Sequence, residues 1–309
     1  MIKKNNIIAW VRGKSGVSAV FGALLLLAIL TVFVLAFLVY AVPAYQIEKE
    51  SAENEALFLS VLHFSEKLED LRQSSSFSSS SIKSQSFPSN VTVLVNENDG
   101  GFLFSAHLVL PPDSEKTIQS KYPIKHDVFA EVSDETQWFF LSSGSVMFYN
   151  QYEQLPDQVY FVGPSAFILS QEDGASFIQD PSIFIIRGSD NQIFMSLSGV
   201  IVQNNNDPVF EKNPILRYRL TKTIFAHDFV SSVAVRYVSP ETAAFQLSPD
   251  FYDNKDKAYD SWFLRLRETI QSDYPEIDVY FDSDDMSLYL ISSVPIEIEI
   301  QIMEIEFEY

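Results

Sequence analysis

The sequence predicts an α+β protein. A long N-terminal helix, first membrane-spanning and then amphipathic, leads into an antiparallel β-sandwich-like domain with one inserted helix. Three observations carry that expectation. No charge falls between Lys14 and Glu48. Apolar residues recur three and four apart from Leu57 to Leu71. From residue 90 onward, short β-prone runs alternate with turn residues about every ten positions.

The apolar run from Ala19 to Val42 is interrupted only by Gly22 and Thr31. At 1.5 Å per residue it makes a helix of about 36 Å, enough to cross ~30 Å of hydrocarbon. A secretory signal peptide has a shorter apolar core followed by a small-residue cleavage site. Lys3, Lys4, Arg12 and Lys14 precede the run, and Glu48, Glu50, Glu53 and Glu55 follow it. Cations stay on the cytoplasmic side, so the N-terminus is expected inside and residues 46–309 outside. Membrane lipid is the first expected partner.

The residues that open this helix read Lys14-Ser15-Gly16-Val17-Ser18-Ala19-Val20-Phe21-Gly22. A basic leader, a small residue and then the apolar helix itself resemble a class III, prepilin-type signal. Val17 to Gly22 is similar to the Val-Ser-Pro-Val-Ile-Gly opening of archaeal type IV pilins and pilin-like surface proteins. Ala19 stands where proline is common, and Phe21 where isoleucine is. The glutamate that bacterial type IV pilins place at the fifth mature position is here Phe21. The resemblance implies cleavage between Gly16 and Val17, with cuts after Ser15 or Gly13 as alternatives. It also implies that Val17, Val20, Phe21, Leu24 and Leu27 belong to a helix that serves both membrane and filament core. The partners it implies are a prepilin peptidase, an assembly ATPase and platform, and other pilin subunits.

The chain is accordingly expected to divide into a leader (1–16), an apolar helix (17–45), an amphipathic helix (46–73), a Ser-rich linker (74–89) and a β-rich ectodomain (90–309). Pro43 should kink the helix or end its first segment, having no N–H to donate. Leu57, Val61, Phe64, Leu68 and Leu71 form one stripe, widened by Phe58 and Leu62. Such a stripe could pack under the chain's own β-domain or form a coiled coil; with only two heptads, packing on the domain is the expectation. Serines from Ser74 to Ser86 favour neither helix nor burial and read as a flexible linker. The one Asn-x-Ser/Thr sequon, Asn90-Val91-Thr92, is a candidate glycan site.

In the ectodomain, Val91 to Val95 and Phe102 to Leu110 flank Glu97-Asn98-Asp99-Gly100-Gly101, which signals a hairpin. Further strands are expected at 137–141, 146–149, 158–162, 166–169, 182–186, 192–202, 215–224 and 231–238. A helix is expected from Lys255 to Ser272, with Tyr259, Trp262, Phe263, Leu266 and Ile270 on one face. A last hairpin turns at Asp282 to Asp285. In the final strand Ile296, Ile298, Ile300 and Ile302 alternate with polar residues, then Met303, Ile305 and Phe307 continue in the opposite phase. A β-bulge near Ile302–Met303 would keep one apolar face. The order of Gly144-Ser145-Val146-Met147-Phe148-Tyr149, a Pro-Asp-Gln turn at Pro156, and Phe167 to Gly174 also resembles large archaeal pilin-like proteins.

Composition excludes several function classes. There is no cysteine, so disulfides, thiolate metal sites and cysteine nucleophiles are ruled out. The formal charge is −20, with four of the cations crowded into residues 1–16, so the body repels phosphate backbones and no nucleic-acid partner is expected. His63, His107, His126 and His227 never fall at ligand spacing, and no metal or other cofactor is expected. The acidic clusters Asp250, Asp253, Asp256, Asp260 and Asp278, Asp282, Asp284, Asp285 lack the EF-hand register that calcium loops use. No catalytic motif occurs, and no enzymatic activity is expected. The leading expectation is therefore an archaeal pilin-like surface subunit, anchored by its helix, with adhesion or filament formation as its role. The alternatives are a permanently anchored protein with a ligand-binding ectodomain and, third, an anchored ectoenzyme.

Overall fold

The computed structural model describes residues 5–73, 82–88, 91–108, 139–163, 166–188, 192–204, 214–239 and 249–308. Asn90, His126 and most of the serine run lie outside the described residues. The chain divides into two compact units, Met1–Asn54 with Glu153–Leu155, and Glu55–Tyr152 with Pro156–Tyr309.

In the first unit, α1 (Asn5–Ala36) runs into a π-helical turn at Phe37–Ala41, and α2 (Val42–Gln73) begins there. The helix does not end at Pro43. Without an N–H, the proline cannot bond the carbonyl one turn back, and a widened turn directly before it takes up the mismatch. That turn is closed by Val42 N–H donating to the Phe37 carbonyl. Every described side chain from Val20 to Tyr40 is exposed. Among the described residues this is the one helix long and apolar enough to cross a membrane. Glu50 accepts hydrogen bonds from the backbone N–H groups of Glu153, Gln154 and Leu155, each at 3.0 Å.

The second unit holds the rest of α2 and eleven described strands: β1 (Lys83–Ser86), β2 (Thr92–Leu108), β3 (Phe139–Asn150), β4 (Gln158–Val162), β5 (Phe167–Gln171), β6 (Gly174–Gln179), β7 (Ile183–Arg187), β8 (Ile193–Asn204), β9 (Ile215–Val238), β10 (Ile277–Asp282) and β11 (Ser287–Glu308). Helix α3 (Pro249–Asp273) separates β9 from β10, and proline at its first position suits a helix start. The expected α+β class is what forms: a long helix, then a large, mainly antiparallel sheet region with one inserted helix. The pairing order is β6-β5-β4-β3-β2-β9-β11-β8-β7, with β1 on β9 and β10 on β11. The β8–β11 pair is parallel, a neighbour relation invisible to local pattern. The expected linker also ends early: Lys83 to Ser86 pair with β9, and Phe87 behind them is buried.

Two apolar cores share these strands. Leu57, Val61, Phe64 and Leu68 of α2 pack against one set of residues, including Val93 and Val95 of β2, Val146 and Phe148 of β3, and Tyr160 and Val162 of β4. The residues between them face the other core, under α3: Leu94, Met147, Val159 and Phe161. Because both faces are covered, runs such as Val159-Tyr160-Phe161-Val162 are apolar throughout instead of alternating.

The same arrangement corrects the reading of the last strand. Ile296, Ile298, Ile300 and Ile302 enter the α3 core, and Met303, Ile305 and Phe307 enter the α2 core. The ladder to β8 passes Ile302 and Met303 without a break. No bulge is needed there, because the strand moves from one core to the other and its phase flips with it. The slip near this end lies against β9, between Glu304 and Ile305, where Thr221 is the extra residue.

The expected hairpin at Glu97 to Gly101 is likewise replaced. Residues on both sides of it pair with the same strand, β3: Asn96 opposite Ser145, and Gly101 opposite Ser143. The turn-forming residues make a wide bulge, three residues longer on β2 than on β3, and the chain continues forward.

Candidate functional site

That bulge positions the most unusual side chain in the fold. Gly100 adopts φ 74°, and Asp99 before it is turned inward, almost wholly buried. Opposite it, α3 carries Tyr252, Lys255, Tyr259 and Trp262 on one face, all buried, so a lysine occupies a position in an apolar stripe. Lys255 Nζ lies 3.1 Å from Asp99 Oδ2, with the two side chains 4% and 1% exposed. The Ser145 hydroxyl, on β3, donates to the same oxygen. Asp99 Oδ1 meets no hydrogen-bond donor among the described residues. Nζ also lies 4.7 Å from the ring centre of Phe161 and 5.1 Å from that of Tyr252. A cavity of about 10 Å³ adjoins the pair, lined also by Gly163, Tyr237 and Tyr259.

Such a pair is expensive as it stands. Desolvating two charges offsets much of their attraction, and an orphaned buried acceptor costs about 1–3 kcal/mol. The rings above Nζ favour the cation in part.

The next residue, Asp256, accepts hydrogen bonds from Tyr237 Oη at 3.2 Å and Ser239 Oγ at 2.5 Å. Tyr237 stacks on Tyr259 with ring centres 4.0 Å apart. Burial raises the Asp256 carboxyl above its ordinary 3.8, although Ser239, Lys255 and Tyr237 pull it down. A carboxyl with a raised folded pKa holds its proton more tightly in the folded state. Its contribution therefore favours folding at low pH and turns unfavourable as pH rises from 3.8 through the folded value. Asp256→Asn keeps an acceptor without the charge. We expect it to raise the melting temperature at neutral pH, with the gain shrinking as pH falls through the folded value toward 3.8. A gain independent of pH would contradict this assignment.

The residues singled out from sequence fall elsewhere. Gly16 and Val17 lie within the helical backbone of α1, and Val20, Phe21, Leu24 and Leu27 are exposed along it. His227 pairs with Glu297 at 2.7 Å, and His63 lies 3.7 Å from Glu66. Asp282 caps a turn by accepting from the N–H groups of Asp284 and Asp285, while Asp285 pairs with Arg236 at 3.2 Å. Among the described residues, no three acidic or histidine side chains gather as a metal site. The Asp99–Lys255 pair escapes sequence reasoning because its partners are 156 residues apart. The lysine inside the α3 stripe is the one local signal that points to it.

No family model matches the chain, and comparison with curated proteins and with solved structures gives no match either.

Proposed function

We propose that the chain is an archaeal type IV pilin-like surface subunit, non-catalytic, displaying residues 46–309 outside the cell. One observation carries the reading: a helical segment apolar on all faces leads directly into a helix whose stripe is built into a β-rich domain. The first segment needs lipid or other helices around it. In the precursor it anchors the subunit; after removal of residues 1–16 and extraction by an assembly ATPase and platform, it packs with copies in a filament core. The Gly16–Val17 junction is the proposed site of the prepilin peptidase. The smooth run from Val20 to Tyr40, without a charge, suits both environments.

Leu26→Asp tests the dual role of the helix. An acid near mid-membrane costs roughly 2.5–3.5 kcal/mol. Fractionation should show the variant lost from membranes, and microscopy should show no filament containing it. Normal retention and display would count against the assignment.

A further inference from the structure

We infer that Lys255 and Asp99 become joined by an intramolecular amide between lysine Nζ and aspartate Cγ, a covalent cross-link from α3 to β2. This goes beyond the pilin-like reading and does not depend on it.

The placement of the groups supports the reaction. Nζ sits 3.1 Å from Oδ2, which is bonded to Cγ, the atom that Nζ attacks. Both side chains are out of water, and Nζ lies against the rings of Phe161 and Tyr252. One proton passes from Nζ to Oδ2 along the hydrogen bond between them, leaving a neutral amine and a neutral acid. The amine lone pair then attacks Cγ and forms the C–N bond. The Ser145 hydroxyl, which already donates to Oδ2, assists the departure of that oxygen. The C–Oδ2 bond breaks, Oδ2 leaves with its proton and one from nitrogen as water, and Oδ1 remains as the amide carbonyl. An ammonium and a carboxylate thus give an amide and one water, with no oxidant, reductant or activating group required.

The product removes both buried charges together. It also closes a loop across most of the ectodomain in a chain that has no cysteine for a disulfide. Strand β2 pairs with both β3 and β9, so the bond fastens α3 to the middle of the sheet.

The test uses the full chain, purified from membranes in detergent, shown to be folded by circular dichroism, then denatured and digested with trypsin. The expected result is a branched peptide joining the Asp99 and Lys255 segments, lighter than its two parts by one water, with no cleavage after Lys255. Lys255→Arg keeps the charge but presents a non-nucleophilic guanidinium, and it should yield linear peptides only. Folded wild-type protein that yields only the linear peptides, with cleavage after Lys255, would overturn the proposal. So would a branched peptide of the same mass that persists in the Lys255→Arg variant.

Discussion

Phe64→Ala is expected to destabilise the folded chain by about 3–5 kcal/mol, the range for emptying a buried phenylalanine site. The side chain is fully buried. Its ring meets Phe148 and Tyr218 edge-on at 5.7 and 5.4 Å, with Phe87 and Phe307 at 6.1 and 6.3 Å. These partners come from β3, β9, β11 and the segment after β1, so nothing small can collapse into the void. Against a typical domain stability of roughly 5–15 kcal/mol, the loss is large. Leu59 lies on the same helix but is 54% exposed. Leu59→Ala should stay within about 0.5 kcal/mol. Denaturant melts of both variants decide the matter; equal effects would mean that α2 does not form part of the core.

Gly144→Ala is expected to cost about 2–5 kcal/mol, from two separate causes. Its φ of +77° is one that a residue with a β-carbon adopts only under strain. An added Cβ would also stand 2.7 Å from the Asn96 carbonyl oxygen and 2.8 Å from Val202 Cβ. One of these is backbone within the β2–β3 pairing, so relief requires the strands to separate. Because Ser145 follows directly, the variant should also slow formation of the amide that the Ser145 hydroxyl assists. Gly163 is the control: its added Cβ would meet nothing closer than 3.7 Å, and its φ is not positive. Gly163→Ala should shift the denaturation midpoint little. A Gly144→Ala variant as stable as wild type would refute the close strand crossing.

How much of this was legible varies by element. The stripe Leu57, Val61, Phe64, Leu68 could be read because helical period converts directly into one buried face. Strands β4, β5, β7 and β8 are bounded by turn residues and form close to where they are expected, whereas helix α3 ends as expected but starts at Pro249, well before Lys255. The sequence Glu97 to Gly101 carried a true signal for positive φ, but local chemistry does not say whether a chain reverses or bulges; the shared partner β3 decides that. The phase flip in β11 was visible as a pattern, and its cause was not. A second core covering the opposite face can be known only when α2 and α3 are placed. Gly144 falls between the expected strands 137–141 and 146–149, yet it sits inside one strand, because β2 pairs with β3 on both sides of it, at Ser143 and at Ser145.

The proposed processing and retention of the N-terminal helix are read from the mature N-terminus of protein extracted from membranes. Sequencing or mass spectrometry should find a chain beginning at Val17, or one residue earlier, with the apolar run to Val42 intact. A chain that still begins at Met1 or Ile2 would contradict the account, and so would one cut after the apolar run.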